Sequence, residues 1–106
     1  TDDQLENRFE PFVLSPWSHG PEFSALLTSF EQALQLEQSS DLGAPSLSAV
    51  ILLKTDGIIG EVATLLARAA VHAIRTGVER IDRHIVDACG HESPSERRRS
   101  MERALR

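Results

Sequence analysis

The sequence has one cysteine, one lysine, one tryptophan and no tyrosine among its 106 residues. With Cys89 alone, no internal disulfide can form, so a disulfide-stapled fold is excluded. A reduced, cytoplasmic setting is the expectation that follows. No apolar run approaches the ~20 residues that cross a bilayer. The longest low-charge stretch, Leu42 to Leu53, is interrupted by Gly43 and Pro45. Positive charge is also short: 16 acids face 11 bases, a formal net charge of −5. That balance argues against a uniformly basic nucleic-acid module. A phosphate loop of the G-x-x-x-x-G-K-[ST] kind is missing, and Lys54 is the only lysine.

What remains is ordinary for one small domain. Hydrophobic residues are 41% and charged residues 25%. The charge is unevenly placed: residues 1–92 hold 14 acids and 6 bases, whereas residues 93–106 hold 5 arginines and 2 glutamates. An acidic body therefore carries a basic tail. The chain starts at Thr1 rather than methionine, and the expectation is a piece of something longer.

Periodicity predicts helices. Thr1 to Phe9 reads as a short helix or helix end, with Leu5 and Phe9 at i, i+4, stopped by Glu10-Pro11. Phe12, Val13 and Leu14 form a short extended run before a loop through Trp17. Pro21 suits the first helical position, and Phe23, Leu26, Leu27, Phe30 and Leu34 make a helical stripe to about Leu36. Ser46 is expected to cap Leu47 to Thr55; Val50-Ile51 leaves that segment ambiguous, and the serine favours helix. Asp56-Gly57 breaks the chain before the strongest helix. Its apolar face is Ile58, Ile59, Val62, Leu65, Leu66, Ala69, Ala70, Ala73 and Ile74, and Gly77 is the expected C-cap. Asp82 caps a further helix bearing Ile85, Val86 and Cys89. Ser93-Pro94-Ser95-Glu96 is a capping box opening a last helix, polar except for Met101, Ala104 and Leu105. The expected fold class is all-α: a small four- to five-helix bundle with a short extended segment near the N-terminus.

Few residues stand out for chemistry. Gly57-Ile58-Ile59-Gly60 at a helix start looks like an anion-binding turn, because helix N-termini expose free N–H groups. The alternative is that Gly60 permits close helix packing. His84, Cys89 and His91 invite a zinc reading, but no C-x-x-C or H-x-x-x-H pair accompanies them. No metal is expected. Surface histidines and a core thiol are the expectation instead. Trp17 is either an anchor against a partner or a lid over the domain's own core. Arg97, Arg98, Arg99 and Arg103 form a cluster that either contacts phosphates or simply solvates a helix end. A helix–turn–helix-like step from residues 57–76 to 82–89 raises a free-standing DNA-binding or interaction domain as the alternative. Asp82 and Asp87 would repel phosphate there.

A resemblance then enters. Leu65-Leu66-x-Arg68-Ala69-Ala70-x-x-Ala73, followed by Gly77, Ile81 and Val86, resembles the helical lid of AAA+ ATPases. Asp3-Gln4-Leu5-x-x-Arg8-Phe9, Val13-Leu14-x-x-Trp17, Glu22-Phe23-x-x-Leu26-Leu27-x-x-Phe30-Glu31 and Thr55-Asp56-Gly57-Ile58-Ile59-Gly60-Glu61 resemble TniB. TniB proteins are the AAA+ NTP-binding subunits of transposition systems, related to TnsC and MuB. The likeness covers most of residues 3–90, in order.

The resemblance implies that residues 1–16 are the end of an AAA+ core and its crossover, 17–92 a helical lid domain, and 93–106 a basic C-terminal helix or tail. It implies a full-length parent that binds ATP and Mg, assembles with other subunits on target DNA and recruits a transposase. The fragment alone would carry no cofactor and no hydrolysis. Arg8 would match the arginine finger, a fixed planar cation reaching a neighbouring subunit's γ-phosphate. Gly57, Gly60 and Glu61 would occupy the sensor-2 region. Lids of this class often place an arginine there in a Gly-x-x-Arg pattern; here Gly57 leads to Gly60 and then Glu61. The basic tail and Trp17 would face DNA or partners, with no membrane involved.

Overall fold

The computed structural model describes residues 16–105. The opening helix of residues 1–9, the extended run of residues 12–14 and the candidate finger Arg8 lie outside the described residues. Within them the chain forms five helices and no strand. They are α1 (Pro21–Leu34), α2 (Pro45–Thr55), α3 (Ile59–Thr76), α4 (Arg83–Ala88) and α5 (Pro94–Ala104).

Each boundary has a local cause. Pro21 occupies the first turn of α1, where its missing N–H costs nothing. The helix stops at Leu34, two residues earlier than the apolar stripe predicts, because Gln35 turns left-handed (φ 52°) and its N–H returns to Glu31 O. Ser46 is not the cap of α2. Pro45 takes the first helical position, Ala44 flanks it, and the Ser48 N–H donates to Ala44 O at 2.9 Å. Sequence inspection missed that a proline directly before Ser46 starts the helix one residue sooner. Val50 and Ile51 stay helical because Leu47, Ser48, Ile51 and Thr55 are all buried, and packing overrides a small β-branched penalty. Gly77 ends α3 as expected, left-handed, with its N–H on Ile74 O at 3.1 Å. Asp82 caps α4 by accepting the Ile85 N–H at 2.9 Å. Ser93 caps α5 by accepting the Glu96 N–H at 3.1 Å.

The eighteen-residue α3 is the spine. It packs against α1, α2 and α4, while α1 also lies on α2, and α2 on α4. Val62, Leu65, Leu66, Ala69 and Ala73 are buried along its inner side, and Ala69 and Ala73 let neighbours approach closely. Phe23 and Leu27 of α1, Ile51 of α2 and Val86 of α4 meet them with no exposed surface. The expected apolar face of α3 is too wide at its ends. Ile58, Ile59 and Ile74 are 40%, 46% and 55% exposed, since nothing among the described residues covers them.

One acidic residue closes the bundle's side. Glu31 of α1 accepts the Leu42 N–H at 2.9 Å, the Ser40 N–H at 2.9 Å and the Ser39 hydroxyl at 3.2 Å. The loop is thereby folded inward and Leu42 is fully buried. Ser40 Oγ in turn accepts the Ile81 N–H at 2.9 Å, which ties this loop to the segment before α4.

Candidate functional site

The turn between α2 and α3 gathers residues from three parts of the chain. Thr55 Oγ1 accepts the Gly57 N–H at 3.2 Å and donates to Ile51 O at 2.8 Å, holding the turn to the end of α2. The Trp17 N–H donates to Gly57 O at 2.8 Å. Gly57 has φ +73°, and a Cβ there would stand 2.2 Å from Trp17 O. A side chain at this position therefore collides with backbone, which cannot step aside. Gly60, the other glycine of the expected anion turn, meets nothing among the described residues within 4 Å of where a Cβ would stand. Close helix packing is thus not its role; the close approach belongs to Gly57.

Trp17 covers the domain's own core. Its ring packs half-buried against the core, 6.4 Å from the Phe23 ring centroid and tilted by 46°. Of the two sequence readings for Trp17, the lid matches its position.

Asp56 Oδ2 accepts the Ser95 N–H at 2.9 Å and the Ser95 hydroxyl at 2.8 Å. A carboxylate at a helix N-terminus answers both the free N–H groups and the dipole. Thus α5 starts with two caps, Ser93 from its own chain segment and Asp56 from the α2–α3 turn. Glu61 Oε1 accepts from His91 Nε2 at 3.1 Å and from the Arg97 guanidinium. His91 is buried, contrary to the surface histidine expected, and its Nδ1 has no hydrogen-bond partner among the described residues.

The structure therefore joins candidates that the sequence assigned to separate sites. Trp17 meets Gly57, and Glu61 meets Arg97. Glu61 is held by His91 and Arg97 rather than free to face a ligand. Arg98, Arg99 and Arg103 are exposed on α5, which buries no residue; Arg103 donates to Ser100 Oγ at 3.3 Å. Met101 and Leu105 on the same helix are 65% and 81% exposed.

The zinc trio does not assemble. Cys89 donates its S–H to Ile85 O at 3.2 Å and lies half-buried rather than fully in the core, His91 is held by Glu61, and His84 is exposed. Burial pushes the Cys89 thiol up, against the opposing pull of Arg68 and Lys54. The helix–turn–helix step is short-legged, because α4 has only six residues. Its Asp87 is paired with Lys54 at 3.5 Å and Arg83 at 3.6 Å.

Sequence inspection missed a groove of about 400 Å³ between α3 and the end of α4. Ala67, Val71 and Ala88 give it an apolar floor; Arg68, His72 and Arg75 edge it, and Cys89 lines it. The 7-residue spacing of Arg68 and Arg75 was its one sequence signal. No family model matches this chain, and no curated protein or solved structure matches it either.

Proposed function

We propose that this chain is the helical lid of an AAA+ ATPase that regulates DNA transposition, as the resemblance to TniB implies. The observation that carries the reading is the exposed apolar end of the bundle. Leu53, Ile58 and Ile59, around the α2–α3 turn, are 74%, 40% and 46% exposed, beside the point where Trp17 is pinned to Gly57. Apolar residues exposed together in this way mark a surface made for a neighbour. A lid resting on an ATPase core or an adjacent subunit has that requirement. The spine α3, with Ala69 and Ala73 facing its neighbours and a glycine stop, is consistent with it.

In this reading the lid does not sense nucleotide with a cation. Counted from Gly57, the arginine position of the Gly-x-x-Arg pattern holds Gly60, and the Glu61 that follows is held by His91 and Arg97. Nucleotide state would be passed on through rigid-body packing of the lid. ATP and Mg would bind the parent's core, and the basic α5 would lie toward target DNA or the transposase.

The test is made on the natural polypeptide from its native source. Its intact mass should be roughly three times that of this chain or more, as a further nucleotide-binding domain of about 200 residues requires, with a phosphate loop in the added sequence. Leu53→Glu with Ile59→Glu should weaken its assembly about tenfold or more. A natural polypeptide of 11.7 kDa, the mass of this chain alone, would remove the nucleotide chemistry and leave a helical interaction domain.

A further inference from the structure

From the groove and the outer side of α3 we infer a docking site for an acidic amphipathic helix of a partner protein. This inference stands whether or not the ATPase reading holds. On α3, Gly60, Ala63, Ala67, Val71 and Ile74 follow one another at spacings of 3, 4, 4 and 3 residues, and all five are exposed. That is the seam spacing of one helix packing along another. It lies roughly a third to a half of a turn round the helix from the centre of the buried stripe of Val62, Leu65, Leu66, Ala69 and Ala73, so the apolar surface of α3 extends beyond the face that the core uses. Val71 and Ile74 alone are 47% and 55% exposed.

Charge selects the occupant. Arg68 and Arg75 are seven residues apart and border the seam along one edge, the position that sets partner choice in paired helices. Neither is in an ion pair among the described residues, and of the other described cations before α5, Lys54, Arg80 and Arg83 each have one; Arg98, Arg99 and Arg103 on α5 are likewise in none, but no apolar seam runs beside them. His72 stands with them at the groove edge. Apart from these two arginines, residues 1–92 hold 14 acids against 4 bases, so an acidic ligand is repelled by most of that part of the chain and accepted at this groove. An antiparallel second copy would set these arginines against their own counterparts. The fitting partner is a helix with leucine-like residues every three to four positions and glutamate or aspartate along one flank.

The single cysteine supplies the readout, because Cys89 lines the groove and is partly accessible. The probe is a fluorescein-labelled peptide of about four helical turns, with Leu at seam positions and Glu at flanking ones. Two controls are its scrambled sequence and the version with Lys for Glu. The acidic amphipathic peptide should bind, slow iodoacetamide alkylation of Cys89, and lose affinity as salt approaches ~1 M. Neither control should do so. Arg68→Glu with Arg75→Glu should weaken binding roughly tenfold and admit the Lys peptide. Both sites are exposed, so folding should persist; the Gln pair serves as the milder variant, and circular dichroism checks both. Equal binding by the scrambled peptide, or affinity indifferent to both Arg pairs, would overturn the proposal. Cys89 protection that grows with protein concentration alone would assign the seam to a second copy and overturn it. Faster alkylation after deletion of residues 1–15 would assign it to the chain's own N-terminal segment, with the same consequence.

Discussion

Glu31 is the most consequential exposed-side acid in this fold, and Glu31→Gln isolates its role. The substitution keeps the side chain's size and replaces one acceptor oxygen with a donor. The Ser40 N–H bonds one carboxylate oxygen and the Leu42 N–H the other, so one of the two then faces an NH2 donor and loses its acceptor. A hydrogen bond to a charged group is worth about 1.5–3 kcal/mol, and water can partly refill this half-buried site, so the loss is set near the low end, about 2 kcal/mol. The effect reaches further than the loop, because Leu42 is fully buried and Ser40 Oγ holds the Ile81 N–H. For a domain of this size about 2 kcal/mol lowers Tm by roughly 8–16 °C. The pH dependence gives a second handle. Burial pushes the Glu31 carboxyl up, but the hydrogen bonds from Leu42, Ser40 and Ser39 outweigh it and hold it below its ordinary 4.5. The unfolded chain therefore binds the proton more readily than the folded one. Glu31 contributes its stability above pH 4.5 and loses it as the pH falls through its lower folded value. Urea denaturation of both proteins, at neutral pH and at about pH 3, measures this. The gap between them should be wide at neutral pH and narrow in acid. A gap under ~0.5 kcal/mol at neutral pH, or one unchanged in acid, would refute the reasoning.

Other expectations concern the α2–α3 turn and the tail. Gly57→Ala should cost about 2 kcal/mol or more, from left-handed strain and the collision with Trp17 O, and should red-shift Trp17 fluorescence. Gly60→Ala, in open space at a helical position, should instead raise stability by up to about 1 kcal/mol in thermal melts. Asp56→Ala should speed amide exchange in the first turns of α5 about fivefold, from roughly 1 kcal/mol of lost capping, with little change in global Tm because α5 buries no residue. Ile51→Ala, with no exposed surface in the wild type, should cost about 2–5 kcal/mol by denaturant titration.

Where the pattern was local, the sequence was readable. The stripe from Phe23 to Leu34 placed α1, Gly77 and Asp82 placed the end of α3 and the start of α4, and Ser93-Pro94 placed α5. The errors also have local causes. A proline one residue before Ser46 moved a helix start, and Gln35 closed α1 early by adopting a conformation that composition does not announce. The site was less readable. Gly57 and Gly60 look equivalent in a motif, and only the path of Trp17 past Gly57 separates them.

The residue pattern alone settled that the described chain is helical and where most helices turn. Those outcomes follow from 3.6-residue periodicity and from caps that act within four residues. It also determined the acidic body and basic tail, since charge is additive along the chain. Tertiary structure alone decided which polar groups meet. Glu31 reaches Leu42 across 11 residues, Glu61 reaches His91 across 30, and Asp56 reaches Ser95 across 39. It also decided that α3 carries a further apolar strip, edged by Arg68 and Arg75, that nothing among the described residues covers. A helix's own pattern shows which residues share a face, but which face is buried depends on where the other helices pack.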